Sequence, residues 1–374
     1  MNFKHTNKKN KFFNLFILSY RYINYVLKSI YEIIFLGKKK PSLPHISKKL
    51  ITKNTISNLP AKVAVCLPAH NEGNNIRYTL EGLLNQKTEK IQISQIVVVS
   101  SASTDNTDSI VREMKQKDNR IQLIVEKERK GKASAINLFL SKVTEPLVII
   151  QSSDTIPTRN TAEELCLPFI NDASVGLTGG APHPVNDKNT FIGYVVHMWW
   201  WFHRNIPRFG EIIAFRNIVG MISNTTAVDE AYIQAKIIQK GYKAVHVDTA
   251  VIHNKGPETL SDLIKQRRRI FNGHSRLLEE EGIKIDNMTM SSLQLLFSYK
   301  PESFKHSLWF FGGILIEIWA RILGAYDCQI SNKNPFIWDT ATTTKNLAFV
   351  PVEEDSENDA INPDEADLAQ EATP

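Results

Sequence analysis

Strand and helix patterns alternate regularly from residue 62 to residue 151, and this alternation constrains the fold more than any other feature. Short runs of Val, Ile and Leu are separated by segments whose apolar residues recur every three to four positions. The runs are KVAVCL, QIVVVS, IQLIV and PLVIIQ. Such alternation predicts βαβ units and a mostly parallel sheet, and uninterrupted apolar strands are typical of a sheet covered on both faces. The predicted fold class is therefore α/β.

The pattern becomes less regular after residue 160. We predict strands in VGLTGG and KAVHV, and helices in FIGYVVHMWWWFH, DEAYIQAKIIQKGY and TLSDLIKQRRRIFNGHSRLLEEEG. A later apolar segment, HSLWFFGGILIEIWARILGAYD, carries Glu317 and Arg321 four residues apart. Its length and charges do not make it an obvious membrane span, and a re-entrant helix, an interfacial helix or a helix buried in protein competes on even terms.

Charge is concentrated at the two ends of the chain. Residues 1–60 contain 12 Lys or Arg and one acid, whereas residues 353–374 contain nine acids and no Lys or Arg. The apolar N-terminal run has a narrow polar stripe, which favours an interfacial helix over a spanning one; a helix packed on the protein itself is the alternative. The acidic tail predicts disorder.

These features divide the chain into five parts. They are a basic amphipathic, membrane-associated helix (1–40), a linker (41–60), an α/β domain (61–282), a helical region expected at the membrane (283–345) and an acidic tail (346–374). The three cysteines are far apart in sequence, so we expect reduced thiols and a cytoplasmic environment.

Polar segments follow the first four predicted strands, and ligands of open parallel sheets bind at the carboxyl ends of strands. The segments are PAHNEG, SSASTDNT, KERKGKASAIN and SSDTIP. Each has a local explanation too, since Asn71, Glu72 and Asp105 suit helix caps and Asp154 alone suits a turn. The cations of RKGK suit either a phosphate or a solvated turn. Four such segments on one edge favour a binding site.

Two later clusters carry charge. Asp229 and Glu230 begin a predicted helix, where the helix dipole favours acids, but a cleft-facing acid there would also suit a general base. Three arginines at 267–269 point in different directions on a helix, so at least one should face inward or towards a ligand. We predict no nucleic-acid partner, because the basic run is short and the middle of the chain is nearly balanced in charge.

Taken in order, these motifs resemble the nucleotide-sugar glycosyltransferases of family 2, which have the GT-A fold. The motifs are PAHNE, VVVSSASTDNT, RKGKASAIN, SSDTIP, VDEAY and GPETLSDLIKQRRRIFNGH, over roughly residues 60–280. The last segment is similar to the QxxRW box of membrane-associated members such as polysaccharide synthases and ceramide glucosyltransferases.

The resemblance implies a donor site for a nucleotide sugar, expected to be a UDP-sugar. The implied donor-binding residues are Pro68, Ala69, Asn71, Glu72, Ser101, Asp105, Lys132, Gln266 and Arg269. Asp154 matches the last acid of the DxD motif, which would bind Mg²⁺ or Mn²⁺. Asp229 and Glu230 match the acidic pair that contains the catalytic base, with Glu230 in the base position.

The chain departs from the family pattern at several positions. Ser100 and Ser101 stand where a pair of acids is common, which leaves the nucleotide open. Ser152 replaces the first acid of the DxD motif, and Ile270 replaces the Trp of QxxRW. The last change argues against a processive, polymer-making channel.

The predicted function is inverting transfer of a sugar to an acceptor hydroxyl on a lipid or growing glycan. We expect the protein at the cytoplasmic face of the cell membrane, either peripheral or with one or two embedded helices. One alternative is sugar transfer to a polyprenyl phosphate. Another, motivated by the serine replacements, is a catalytically silent nucleotide-sugar binding protein. A sugar nucleotidyltransferase is disfavoured, because its Gly-rich nucleotide loop should stand where PAHNEG stands.

Overall fold

The computed structural model describes residues 60–205, 209–282, 295–296, 298–337 and 344 of the 374-residue chain. The predicted N-terminal helix (1–40), almost all of the predicted linker and the acidic tail (346–374) lie outside these residues.

Eight strands and eight helices alternate along the described chain. The strands are β1 (Ala61–Ala69), β2 (Ile91–Ser101), β3 (Ile121–Glu126), β4 (Leu147–Gln151), β5 (Thr155–Pro157), β6 (Val175–Pro184), β7 (Ile212–Arg216) and β8 (Lys243–Asn254). The helices are α1 (Ile76–Leu84), α2 (Thr107–Lys117), α3 (Lys132–Leu140), α4 (Thr161–Asn171), α5 (Phe191–Asn205), α6 (Asp229–Gln239), α7 (Leu260–Glu281) and α8 (Phe304–Gln329).

All eight strands form one mixed sheet in the order β3-β2-β1-β4-β7-β6-β8-β5. The first four strands pair in parallel, as the alternation predicts. The second half differs, since β7 runs antiparallel to both β4 and β6, and β5 runs antiparallel to β8. Neither β5 nor β7 was predicted. The α/β fold class is confirmed, with antiparallel pairing confined to the second half.

The sheet is covered on both faces, and alternate residues of a strand enter different cores. In β1, Val63, Val65 and Leu67 pack on the face that α1 covers, whereas Ala64 and Cys66 pack on the face that α3 and α6 cover. All five residues of β4 are buried. Burial on both faces explains why these strands read as continuous apolar runs. The three cysteines are buried and unpaired, as predicted.

The two long C-terminal helices begin at side-chain caps. The Thr259 hydroxyl accepts a hydrogen bond from the Asp262 amide at the start of α7, and the Ser303 hydroxyl accepts one from the His306 amide at the start of α8. Such caps satisfy amides that have no partner in the first helical turn. Gly282 ends α7 in the left-handed region (φ 66°), which glycine adopts without strain.

Helix α8 packs along α7 through buried ion pairs. Glu317 accepts hydrogen bonds from Arg267 Nε (2.6 Å) and Arg321 Nε (2.7 Å), and Arg268 pairs with Asp327. Aromatic residues of α5, including Tyr194, Trp199 and Trp201, continue this packing on the same side. The face of α8 that carries Glu317 is therefore held against α7.

The Glu317 network predicts a large stability effect. Glu317→Gln leaves two largely buried guanidinium groups without a counter-charge, so we expect a loss of about 3 kcal/mol in the free energy of unfolding. Urea denaturation measures it. The matched control is Glu113→Gln, which breaks the exposed Arg77–Glu113 pair and should leave the urea midpoint nearly unchanged. Equal effects of the two substitutions would contradict the stabilising role of the Glu317 network.

Candidate active site

The polar loops after β1 to β4 lie on one edge of the sheet and border a cleft of about 1460 Å³. Each loop contributes to the lining. The contributors include His70 and Glu72 after β1, Ser101 at the end of β2, Arg129 and Gly131 after β3, and residues 152–154 after β4. The prediction that these four loops share one edge is confirmed. Residues at the start of α6 and in the middle of α7 also line the cleft.

Most of the residues predicted from the motifs line this cleft. They are Pro68, Ala69, Glu72, Ser101, Lys132, Asp154, Asp229, Glu230, Gln266 and Arg269. They come from six separate stretches of the chain, which the fold brings together around one cleft.

Asn71 and Asp105 connect the loop after β1 to the loop after β2. The Asn71 carboxamide oxygen accepts a hydrogen bond from the Thr104 amide (2.8 Å), and Asp105 accepts hydrogen bonds from the amides of Gly73 (2.9 Å) and Thr107 (3.0 Å). Neither residue is among those that line the cleft in the described chain. Both side chains therefore hold the two loops together, and their assignment to donor binding stays a prediction.

Lys132 joins the two halves of the site. It begins α3 directly after Gly131, whose backbone lies in the left-handed region (φ 88°) and turns the chain into the helix. Its ammonium group pairs with Asp229 (3.0 Å) and with Glu230, the first two residues of α6. The Lys132 and Glu230 side chains are 18% and 17% exposed, whereas that of Asp229 is 4% exposed. Glu230 is thus the more accessible acid.

The two acids differ in basicity. Burial, reinforced by the charge of Glu230, raises the pKa of Asp229 to about 6, although Lys132 acts against the shift. Burial also acts to raise the pKa of Glu230, but the charge and hydrogen bond of Lys132 outweigh it and leave that pKa below its ordinary value. The two carboxylates share one cation and therefore titrate as a pair.

Arg269 is the member of the arginine run that enters this cluster. Arg267 and Arg268 pair with Glu317 and Asp327 of α8. Arg269 confirms the prediction that at least one arginine of the run faces inward or towards a ligand. Burial lowers the pKa of Arg269, and four carboxylates partly offset that shift. These four are Asp229, Glu230, Glu211 and Asp154.

Glu211 was missed by the sequence analysis. It lies directly before β7, lines the cleft and has a left-handed backbone (φ 61°). Burial, followed by the charge of Asp154, raises its pKa to about 7. The only signal in the sequence was an acid before the apolar run IIAF, a run that we had not assigned as a strand.

The cleft contains oxygen ligands suited to a hard divalent ion. Asp154 and Glu211 both line it, on the same side as the loop after β4. Within the described residues, no three side chains of His, Cys, Asp or Glu come together as a complete metal site. Mg²⁺ commonly binds one or two carboxylates together with substrate phosphates and water. These two carboxylates therefore suit a divalent ion whose remaining ligands would be oxygens of a bound diphosphate and water.

The Lys132 cluster predicts a pH-dependent stability effect. In Lys132→Met, two largely buried acids lose their cation, so we expect a loss of about 2–3 kcal/mol at pH 8, somewhat less than for a fully buried pair. Without Lys132 the folded-state pKa values of the acids rise above their unfolded values. The deficit should therefore shrink as the pH falls towards 5, where the acids become protonated. Urea denaturation at both pH values checks this, and a deficit that is equal at both would contradict it.

Comparisons with known proteins agree with this geometry. Residues 64–229 match the model of the family described as "Glycosyl transferase family 2". The chain is 24% identical over 300 residues to the probable glycosyltransferase YdaM of Bacillus subtilis, which covers 75% of this chain and 70% of YdaM. It is also 24% identical over 294 residues to the poly-beta-1,6-N-acetyl-D-glucosamine synthase of Staphylococcus aureus, which covers 72% of this chain and 67% of the synthase.

A solved structure shares the fold. The mannosyltransferase PcManGT from Pyrobaculum calidifontis, solved with GDP-Man and Mn²⁺, superposes with a TM-score of 0.51 at 20% sequence identity. The superposition covers 87% of this chain and 98% of PcManGT. The predicted GT-A-type fold is thereby confirmed. The chain is a glycosyltransferase, and its residues 64–229 are similar to glycosyltransferase family 2.

Proposed function

We propose that this glycosyltransferase moves a sugar, with inversion, from a nucleotide-sugar donor to a hydroxyl of a glycan or lipid acceptor. One observation carries the proposal: Lys132 holds Asp229 and Glu230 together in the cleft that the four donor-side loops border. A pair of acids and a cation that line a cleft provide both a base for the acceptor and positive charge for the leaving group.

The donor lies along the loops at the strand ends. The nucleoside contacts Pro68, Ala69, Glu72 and Ser101, and the diphosphate extends towards Lys132 and Arg269. We propose a UDP-sugar. The glycan acceptor is supported by the Staphylococcus aureus relative, which is a poly-beta-1,6-N-acetyl-D-glucosamine synthase.

Asp154 is the proposed ligand for Mg²⁺ or Mn²⁺. PcManGT was solved with Mn²⁺ and a nucleotide sugar, which supports the use of a divalent ion by this fold. A bound ion would neutralise negative charge on the departing diphosphate.

The transfer step follows from the side chains of the cleft. Glu230, the more exposed acid, accepts the proton of the acceptor hydroxyl, and Lys132 holds its carboxylate in place. The acceptor oxygen then bonds to the anomeric carbon from the face opposite the leaving group. The bond from that carbon to the diphosphate oxygen breaks, and the nucleoside diphosphate leaves with the electron pair. Arg269 and Lys132 stabilise the charge that develops on it.

Helix α8 is the proposed membrane contact. It is the one helix of the described chain long and apolar enough to cross a membrane, yet its polar face is ion-paired to α7. Five apolar side chains on its other face are each more than half exposed and recur at helical spacing. They are Phe304, Leu308, Phe311, Leu315 and Trp319. A helix held along the catalytic domain with one apolar face outward suits a position in the plane of the membrane surface.

The proposed base gives a direct test. We expect Glu230→Gln to lower kcat by roughly 10²–10⁴-fold, because a positioned base contributes about that much. Asp154→Ala should also remove most turnover, whereas Glu81→Gln, an exposed residue of α1, should leave it unchanged. Product formation from radiolabelled UDP-sugars measures all three.

Two outcomes would contradict the proposal. Near-normal transfer by both Glu230→Gln and Asp154→Ala would show that the chemistry lies elsewhere. A mild effect of Glu230→Gln, with a lipid-linked phosphodiester product that mild acid cleaves, would indicate a polyprenyl-phosphate acceptor. A phosphate acceptor needs no general base.

The membrane face of α8 gives a second test with a closely matched control. Leu315 and Met221 are 66% and 65% exposed, but only Leu315 belongs to the apolar stripe. Leu315→Glu should weaken co-sedimentation with vesicles that contain anionic phospholipid by about tenfold, since burial of a leucine contributes about 1.5 kcal/mol or more. Met221→Glu should have no effect. Equal binding by both variants would refute the role given to α8.

A further inference from the structure

The loop after β4 contains one acid, Asp154, where the motif of the family has two, and Ser152 occupies the position of the other. We propose that Glu211, at the start of β7, supplies the missing carboxylate and binds the divalent ion together with Asp154. This inference rests on the proposed function, because the remaining ligands would be oxygens of the donor diphosphate.

Strand pairing brings Glu211 to the position of the missing acid. Strands β4 and β7 are antiparallel, and their last pair joins Gln151 to Ile212. One residue further along, the Ser152 amide donates a hydrogen bond to the Glu211 carbonyl oxygen (2.8 Å). The two residues are therefore direct cross-strand neighbours at the edge of the cleft, and both line it.

The Ser152 side chain supports the same arrangement. Its hydroxyl and the charge of Asp154 both act on the Glu211 carboxylate. Glutamate is longer than aspartate by one methylene, so an acid on β7 can reach across to the site of residue 152. Serine there leaves space for this carboxylate and orients it.

The backbone of Glu211 is consistent with a functional role. Its φ of 61° lies in the left-handed region, which side chains other than glycine adopt only at a cost in energy. Such strain is found mostly where the surrounding structure needs one particular side-chain direction. Glu211 lines the cleft, as Asp154 does.

The charge of the cluster favours a divalent cation. Four carboxylates act on Arg269, namely those of Asp229, Glu230, Glu211 and Asp154. Two cations, Arg269 itself and Lys132, belong to the same cluster. With all four acids ionised, the formal charge of the cluster is therefore −2. Lys132 is already paired with the two acids of α6. A divalent ion at Asp154 and Glu211 would bring the sum to zero.

Mn²⁺ binding tests the inference without any measurement of transfer. Electron paramagnetic resonance reports free Mn²⁺ during titration of the full chain with saturating UDP, and in parallel with GDP. Loss of even an outer partner of a metal ligand costs roughly 10–100-fold in affinity, so we expect Glu211→Gln to weaken Mn²⁺ binding by at least about tenfold. Glu81→Gln is the matched control and should bind as the parent does.

A compensating substitution separates a ligand from a merely structural residue. Ser152→Asp in the Glu211→Gln background returns a carboxylate to the same place and should restore most of the Mn²⁺ affinity. If Glu211→Gln does not fold, Glu211→Asp retains the charge but withdraws the carboxylate by one methylene, and it should also weaken binding.

Three results would overturn the inference. They are unchanged Mn²⁺ affinity in a folded Glu211→Gln or Glu211→Asp variant, no recovery on adding Ser152→Asp, and no Mn²⁺ binding by the parent with either nucleotide. These outcomes are distinct from failure of the proposed function. Transfer that survives Glu230→Gln would refute the assigned base and leave the metal result standing.

Discussion

The ion pairs of Lys132 with Asp229 and Glu230 are the interaction on which the site depends. They connect the start of α3, in the parallel half of the sheet, to the start of α6, which follows the antiparallel strand β7. Two adjacent acids in one largely buried place would repel each other and favour protonation without a cation between them. Lys132 keeps the pair charged, and it thereby keeps a proton acceptor beside the loops that border the cleft.

The same helices connect the cleft to the outer face of α8. One side of α7 presents Arg269 to the acid cluster, while Arg267 and Arg268 on the same helix pair with Glu317 and Asp327 of α8. An α8 that lies in the membrane surface would therefore hold the side of the cleft that α7 forms near that surface. In our account, a lipid or lipid-linked acceptor reaches the base without leaving that surface.

Sequence patterns could predict the parallel half of the fold, because each βαβ unit is local and its periodicity is strong. They also located the loop acids, the α6 pair and the arginine run. They failed where the partner is distant in sequence. Strand β7 pairs with β4 some sixty residues upstream, and a four-residue apolar run does not reveal its direction. Glu211 was missed for that reason. The sequence also did not predict that the Asn71 and Asp105 side chains accept hydrogen bonds from backbone amides of neighbouring loops.

The central claim is that a nucleotide sugar and its metal bind at the edge where β4 and β7 end. The most direct measurement is a crystal structure with UDP and Mn²⁺, with diffraction data collected at the manganese absorption edge. The account predicts one anomalous peak in contact with Asp154 and Glu211, and a diphosphate between that peak and the Lys132–Arg269 side of the cleft. A nucleotide bound away from the loops after β1 to β4, or a manganese peak that does not touch Asp154, would contradict it.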